Sequence, residues 1–282
     1  MTQITVRDFV FDARVAGPAS GEAIFLLHGY PQTGHAFRHE LVALAKAGYR
    51  AIAPDQRGYS PGARPLGVEN YTVALLLQDI IDLADALSIE RFHLVGHDWG
   101  GLVGWAVAGQ AEDRVLSYTA VSASHPDAGA DKLADPASCQ YAHSSYYDFL
   151  VTPDAFRPLI AADAALLRDV YADLPPEDAE IYVEALGNEA ALQAALHWYG
   201  ANIENRRFKT PALGVVQVPS RLVYGDADPY LCMDTAEASG AYAAEPYTFE
   251  VLPGVGHWIP DLAPDALSAA ILRTIESAKQ HR

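Results

Sequence analysis

Apolar residues along the chain follow two alternating patterns. Short, mainly apolar runs, each bounded by Gly, Pro or Asp, occur at Ala23–Leu27, Ala51–Ala53 and Phe92–Val95. Short runs of this kind are typical of strands that are buried on both faces. Between the second and third runs, apolar residues from Val73 to Ala84 recur at spacings of three and four, which predicts a helix with one buried face. Strands that alternate with helices indicate a parallel sheet covered on both sides.

The alternation continues, breaks off and returns. A helix is predicted near residues 102–108 and a strand at Val115–Val121, whereas residues 124–216 read as helical and aromatic, with no obvious strand. Strand patterns return at Val218–Tyr224 and Tyr247–Leu252, before a closing helix from about Pro264 to Ser277. We therefore predict an α/β core of residues 1–123 and 217–282, with a helical cap of residues 124–216. An insertion here would cover the carboxyl ends of the strands, where open α/β sheets bind ligands.

Composition narrows the possible partners. The chain has 282 residues and a formal net charge of −17, and such an acidic surface disfavours nucleic acid and anionic membranes. We expect a small-molecule partner instead. No apolar stretch reaches bilayer length, and Met1–Asp8 reads as a strand and not as a signal peptide. Cys139 and Cys232 form no metal-binding or CxxC spacing, so we expect two free thiols and a cytoplasmic protein.

The segment Gly96–Gly101, with the sequence GHDWGG, follows a predicted strand and precedes a predicted helix. Gly96 and Gly100, two residues before and after Asp98, permit the sharp turn that presents a nucleophile at the mouth of a cleft. A carboxylate can attack an alkyl carbon without help from a base and then forms an ester on its own side chain. The alternative role for Asp98 is a helix N-cap.

Two later strand ends offer partners for Asp98. A carboxylate in Gly225–Pro229 could orient a histidine, and we prefer Asp228 over Asp226 because it stands further beyond the strand end. His257 lies in a glycine-rich turn after the last strand. The chain order of nucleophile, acid and histidine is one of the orders in which catalytic triads occur.

These motifs resemble the α/β-hydrolase superfamily and, within it, the epoxide hydrolases. Four motifs carry the resemblance over nearly the whole chain: HGxP at His28–Pro31, GHDWGG at Gly96–Gly101, GDxD at Gly225–Asp228 and GxGHW at Gly254–Trp258. The resemblance implies an α/β-hydrolase fold, with Asp98, Asp228 and His257 as the catalytic triad. It also implies an oxyanion hole formed by the backbone N–H groups of Tyr30 and Trp99.

The resemblance further implies a pair of cap tyrosines that donate to the epoxide oxygen. Tyr146 precedes a Phe and a Pro, and Tyr199 lies in a Trp-Tyr pair ahead of a basic stretch, as in similar enzymes. Tyr147 is the alternative to Tyr146. Gly200 departs from the pattern, because relatives commonly carry Arg there. Trp99 and Trp198 are expected to contact the substrate.

Other functions compete with epoxide opening. A haloalkane dehalogenase would also use an aspartate, but such enzymes typically place Asn after His-Gly or a second Trp in the cap, and Tyr30 stands after His28-Gly29. A non-catalytic receptor on the same fold would not need the complete triad. The histidines at positions 35, 39, 143 and 197 show no metal-binding spacing, so we predict no metal and no cofactor.

Overall fold

An eight-stranded sheet forms the centre of the computed structural model, which describes residues 1–281. Its strands are β1 (Thr2–Val6), β2 (Phe9–Ala16), β3 (Ala23–Leu27), β4 (Arg50–Pro54), β5 (Phe92–His97), β6 (Val115–Val121), β9 (Ser220–Gly225) and β10 (Tyr247–Leu252), while β7 (Ile203–Glu204) and β8 (Arg207–Phe208) form a separate hairpin. The order across the sheet is β1-β2-β4-β3-β5-β6-β9-β10. Strands β4, β3, β5, β6, β9 and β10 run parallel to one another, and β2 pairs antiparallel with both β1 and β4.

Burial explains why the central strands could be predicted from the sequence. Every residue of β3, β5, β6 and β9 is buried, so these strands are mainly apolar and do not alternate between apolar and polar residues. Strand β2 was not predicted, because its burial alternates along a half-covered edge region and its sequence contains Asp and Arg. The predicted α/β architecture is confirmed, with an antiparallel addition at one edge.

Helices cover both faces of the sheet. Those of the core are α1 (Arg38–Lys46), α2 (Val73–Ala86) and α3 (Trp99–Gln110) before the insertion, and α10 (Met233–Ala238), α11 (Ile259–Leu262) and α12 (Pro264–Gln280) after it. The helices between β6 and β9 are α4 (Pro126–Ala134), α5 (Cys139–His143), α6 (Tyr147–Leu150), α7 (Phe156–Val170), α8 (Pro176–Leu186) and α9 (Glu189–Asn202). Short 3₁₀ helices occupy Gly34–Phe37, Val68–Tyr71 and Ser239–Tyr242.

The insertion is mainly helical, as expected, but it also contains the β7–β8 hairpin. The sequence showed no obvious strand there, so this hairpin was not predicted. Each of the two strands is only two residues long, too short to leave a periodic pattern in the sequence. Helix α7 is also interrupted, because the backbone φ and ψ angles of residues 161–164 are not those of a right-handed helix.

A buried ion pair fastens the loop after β4 to α2. Arg57 donates through Nε and one terminal nitrogen to the two oxygens of Asp79, both at 2.6 Å. Burial raises the pKa of Asp79, and the hydrogen bonds from Arg57 oppose that rise. The carbonyl of Arg57 also accepts from Trp198 Nε1 at 2.9 Å, so the same loop anchors α9 of the insertion to the core.

The two cysteines form a disulfide, so the expectation of free thiols is wrong. Cys139 begins α5, and Cys232 immediately precedes α10, 93 residues later. The insertion folds back over the core here, since Gln140 Oε1 accepts from the Cys232 N–H at 3.0 Å. Sequence spacing could not show this pairing because it depends on how the insertion packs. No helix within residues 1–281 combines the length and apolar character that crossing a bilayer would require.

Candidate active site

Asp98 occupies a strained turn between β5 and α3. Its φ of 53° and ψ of −122° lie outside the regions that L-residues favour, at a cost on the order of 1–3 kcal/mol. The turn needs glycine on both sides, since a Cβ at Gly96 would meet Gly100 O at 2.2 Å and one at Gly100 would meet Leu27 O at 2.2 Å. The side chain of Asp98 makes no capping hydrogen bond to α3. The carboxylate is thus presented to the space above the sheet and does not serve as an N-cap.

The two oxygens of the Asp98 carboxylate have different surroundings. Oδ1 accepts a hydrogen bond from the Tyr30 backbone N–H at 2.8 Å. Oδ2 lies 3.7 Å from His257 Nε2, and 16% of the side chain is exposed. Oδ2 therefore faces both the imidazole and the accessible space, while Oδ1 is held by the backbone.

His257 is oriented by Asp228. The two residues follow different strands, β10 and β9, and His257 Nδ1 donates to Asp228 Oδ2 at 2.9 Å. Asp228 Oδ1 accepts from the Tyr230 and Leu231 N–H groups at 2.8 and 3.2 Å, so this carboxylate is fixed. The imidazole therefore turns Nε2 towards Asp98.

Asp226, the alternative acid, is used differently. Its Oδ1 accepts from the Gly254 N–H at 2.6 Å on the exposed side of the turn between β10 and His257. Asp226 thus stabilises the turn that carries the histidine, and Asp228 is the aspartate that contacts the imidazole.

Charge and burial act in opposite directions on the triad. Burial alone would lower the pKa of His257, but Asp228 and Asp98 outweigh it and raise that pKa to about 10. Burial likewise favours the neutral form of Asp228, yet His257 and the two backbone donors hold its pKa below the usual range. In the absence of substrate, an imidazolium therefore lies between two carboxylates.

Three tyrosines of the insertion lie near Asp98. Tyr199 is buried within α9, and its ring centroid is 5.0 Å from that of Trp99 and 5.3 Å from that of Tyr30. Tyr146 and Tyr147 flank the start of α6, with ring centroids 6.4 and 5.5 Å from Tyr199. Burial raises the pKa of all three phenols, so they remain neutral donors at neutral pH.

Gly200 does not disturb the placement of Tyr199. Helix α9 runs from Glu189 to Asn202 and passes through Gly200 without beginning or ending there. Asn202 secures its end, because its side chain accepts from the Val73 N–H and donates to the carbonyls of Tyr71 and Trp198. The glycine that departs from the family pattern is therefore accommodated within a regular helix.

Two cavities meet at Asp98. One has a volume of about 180 Å³ and mainly apolar walls, with Tyr30, Pro31, Phe149, Leu150, Leu159, Val170, Tyr199 and Trp258 among its lining residues. The other, of about 50 Å³, is lined by more polar groups. Asp98, His257, Tyr146 and Tyr230 border both cavities, whereas Tyr199 borders only the apolar cavity and Tyr147 only the polar one.

Comparison with known proteins gives the family. A family model described as alpha/beta hydrolase fold matches residues 22–264, which is most of the chain. This chain belongs to the α/β-hydrolase family.

Relatives of this α/β-hydrolase include proteins named for epoxide hydrolysis. The AB hydrolase superfamily protein YfhM of Bacillus subtilis is 31% identical over 93% of each chain. Epoxide hydrolase A of Mycobacterium tuberculosis is 28% identical over 91% of each chain. A solved structure reported among novel epoxide hydrolases in metagenomes from hot environments superposes with a TM-score of 0.85, at 29% identity and with 97% of each chain covered.

Trp99 and Trp198 pack against each other beside Tyr199. Trp99 and Trp198 pack edge to face, with ring centroids 6.0 Å apart, and neither borders the two cavities at Asp98. The indole N–H of Trp198 is already bound to the Arg57 carbonyl. Trp99 packs against both Trp198 and Tyr199, and the contact of these indoles with substrate stays a prediction. The Trp99 N–H, as the first amide of α3, stays a predicted oxyanion donor.

His97 and Tyr230 were not singled out in the sequence. His97 Nε2 contacts the His257 carbonyl at 2.9 Å and must donate to it. Burial, with His257 adding to the effect, lowers the pKa of His97 to about 3, so its ring stays neutral. Tyr230 packs its ring edge to face on His257 at 4.9 Å. The GHDWGG motif contains His97 but does not indicate this contact, and no sequence signal marked Tyr230.

The glycine before Tyr30 leads to a testable prediction. A Cβ at Gly29 would lie 2.2 Å from Asp98 Oδ1 and 2.6 Å from Asp98 Cγ, so Gly29→Ala must displace the carboxylate. We expect steady-state hydrolysis of an epoxide such as styrene oxide to fall by about 10²-fold, because misplacing a reacting group by an ångström has effects of that size. Gly129→Ala is the control, since its Cβ meets nothing nearer than 3.6 Å. A fully active, normally folded Gly29→Ala enzyme would contradict this account of the carboxylate.

Proposed function

We propose that this α/β-hydrolase is an epoxide hydrolase, which opens an epoxide to a vicinal diol through an ester on Asp98. One observation carries the proposal: a carboxylate occupies the nucleophile turn with the imidazole of His257 3.7 Å from its free oxygen. Buried, neutral phenols lie beside the same carboxylate. The names of several relatives, such as Epoxide hydrolase A of Mycobacterium tuberculosis, support the same reaction.

In the first step, Asp98 Oδ2 attacks one carbon of the epoxide. The new bond joins that oxygen to the carbon, and the carbon–oxygen bond of the ring breaks. The departing oxygen becomes an alkoxide, which takes a proton from a phenol. Tyr146 and Tyr199 are assigned as the donors because both border the apolar cavity together with Asp98.

In the second step, His257 activates a water that attacks Cγ of the Asp98 ester. The water proton passes to Nε2, and the imidazolium that forms is stabilised by Asp228, 2.9 Å from Nδ1. Negative charge develops on Oδ1, which the Tyr30 N–H already contacts at 2.8 Å, with the Trp99 N–H as the second donor. The ester bond then breaks, and the diol oxygen takes a proton from His257. The second proton of the water passes from the re-formed Asp98 carboxyl back to His257, which had given its own proton to the phenolate before it acted as the base.

The charge on Asp98 determines when His257 can act as a base. Before attack, the carboxylate contributes to the raised pKa of about 10, so the imidazole is protonated at neutral pH. Alkylation removes that charge, and the pKa of His257 must then fall. The first step therefore prepares the base for the second without any change of conformation.

The alternatives are less well supported by the same contacts. A halide site would need Asn after His28-Gly29 or a free indole in the cap, but Tyr30 follows Gly29, and the Trp198 N–H donates to Arg57 O away from both cavities. A receptor would need a cavity but not an imidazole held by a fixed carboxylate. The expected cytoplasmic location stays part of the proposal, although the disulfide removes the free thiols on which it partly rested.

His257→Gln provides the main test. Without a base, Asp98 should still be alkylated but the ester should not be hydrolysed. Styrene oxide should then be consumed only in an amount equal to that of the enzyme. Intact mass spectrometry should show a gain of one epoxide, and peptide mapping should place it on Asp98.

Two companion measurements complete this test. Asp98→Ala, which lacks the nucleophile, should show neither the adduct nor turnover. In a single turnover of the unmodified enzyme in heavy-oxygen water, the label should enter the Asp98 carboxylate. Label found first in the diol would mean that water attacks the epoxide directly, and the ester mechanism would be wrong. Turnover of a bromoalkane in preference to epoxides would favour a dehalogenase.

The tyrosine pair gives a second prediction for this reaction. Tyr146→Phe and Tyr199→Phe should each lower kcat/KM by on the order of 10²-fold or less, because one donor remains. The double variant should lose far more than either. Tyr147→Phe is the matched control, since Tyr147 borders only the polar cavity. A larger loss in Tyr147→Phe than in Tyr146→Phe would transfer the donor role to Tyr147.

The pH dependence of the two steps should differ. Rapid-mixing experiments that follow the ester should find an alkylation rate independent of pH around neutrality, because attack does not need a neutral imidazole. Hydrolysis needs neutral His257, so its rate should rise with pH and level off at a pKa below the value of about 10 for the free enzyme. A hydrolysis rate that still rises in proportion to hydroxide up to pH 10 would contradict the loss of charge on Asp98.

A further inference from the structure

The smaller cavity also borders Asp98, but its lining is more polar than that of the apolar cavity. Its walls come from the segment after β6, from α4 and α5, and from α10, and they include Ser122, Ser124, Gly129, Gln140 and Thr235. The apolar cavity has none of these residues. A substrate held at Asp98 can therefore reach an apolar cavity and a second cavity in which hydroxyl and amide groups lie beside apolar side chains such as Leu102, Leu133 and Phe208.

Ser122 supplies the feature that indicates a ligand. The residue follows β6 and is only 5% exposed, and its Oγ forms no hydrogen bond with any residue that the structure describes. A buried hydroxyl without a partner is unfavourable by about 1–3 kcal/mol. Because Ser122 borders the polar cavity, a hydroxyl group placed there could supply the missing partner.

Size separates the two cavities as clearly as polarity does. The volume of about 180 Å³ on the apolar side suits a phenyl or alkyl group, whose burial is favourable there. The volume of about 50 Å³ on the polar side suits a group of one or two non-hydrogen atoms. Gly129 lines this cavity, where a single Cβ would make only ordinary contacts, 3.6 Å from Ser124 Oγ and 3.9 Å from the Thr235 methyl group, whereas a larger side chain would occupy the volume.

We propose that the polar cavity is a subsite for a small hydroxyl-bearing substituent of the epoxide. The preferred substrates are then internal epoxides, with an apolar group on one ring carbon and a group of hydroxymethyl size on the other. This inference rests on the proposed epoxide hydrolysis. It goes further in naming a class of substrate and the residues, Ser122 and Gly129, that select it.

Three phenyl epoxides test the proposal. Styrene oxide carries only the apolar group, 3-phenyl-2,3-epoxypropan-1-ol adds a hydroxymethyl group, and 1-phenyl-1,2-epoxybutane replaces that group by an ethyl group of equal size. We expect kcat/KM to be about tenfold higher for the hydroxymethyl epoxide than for the ethyl epoxide, because one hydrogen bond to a buried hydroxyl has about this effect. Equal values for the two, or a preference for ethyl, would overturn the proposal.

Two substitutions localise the preference. Ser122→Ala should abolish the difference between the hydroxymethyl and ethyl epoxides and leave styrene oxide unchanged. Gly129→Val should fill the subsite and lower kcat/KM for both internal epoxides by about tenfold or more, again without affecting styrene oxide. Gly129→Ala is the matched control, because its Cβ makes only ordinary contacts and alanine favours the helix.

The outcomes distinguish this inference from the reaction on which it rests. An enzyme that opens styrene oxide but does not favour the hydroxymethyl epoxide retains the proposed function and loses the subsite. An enzyme that opens none of the three epoxides loses both. Equal losses on all three substrates in Ser122→Ala and Gly129→Val would overturn the assignment of this cavity to one substituent.

Discussion

The strained turn at Asp98 is the constraint on which the rest of the site depends. A non-glycine residue keeps a φ of 53° only if the surrounding structure excludes other conformations. Here the backbones of β5, α3 and the end of β3 pack closely around the turn. Glycine is needed at Gly96 and Gly100 for that reason. The turn places a charged carboxylate over the carboxyl ends of the parallel strands, where the loops after β3, β9 and β10 can reach it.

The same carboxylate governs the electrostatics of its partners. His257 is buried, which by itself would keep it neutral, yet the charges of Asp228 and Asp98 raise its pKa to about 10. His97 lies next to Asp98 in the chain and against the ring of His257, and it stays neutral because burial and the His257 imidazole lower its pKa to about 3. The two histidines therefore differ: neutral His97 contacts the backbone of the turn, and His257 is the residue proposed to exchange protons.

The insertion encloses the carboxylate with phenols and closes it from water on most sides. Its attachment to the core is polar and specific: Trp198 binds the loop after β4, Tyr171 donates to the Pro31 carbonyl at 2.6 Å, and Gln140 binds the loop after β9. These contacts fix the tyrosines relative to Asp98. The insertion also contributes to two cavities of different polarity at Asp98, so a bound substrate would place its apolar and polar groups in different cavities.

The sequence alone determined the fold and the order of the predicted catalytic groups, because buried strands and tight glycine turns leave local patterns. Asp98, Asp228 and His257 were predicted in this way, and in the structure their side chains are neighbours. Only tertiary structure decided the edge strand β2, the Cys139–Cys232 disulfide, the packing of Trp99 and Trp198 beside Tyr199, and the contacts of His97 and Tyr230. Each of these depends on packing between segments far apart in the chain, and such packing leaves no periodic trace in the order of residues.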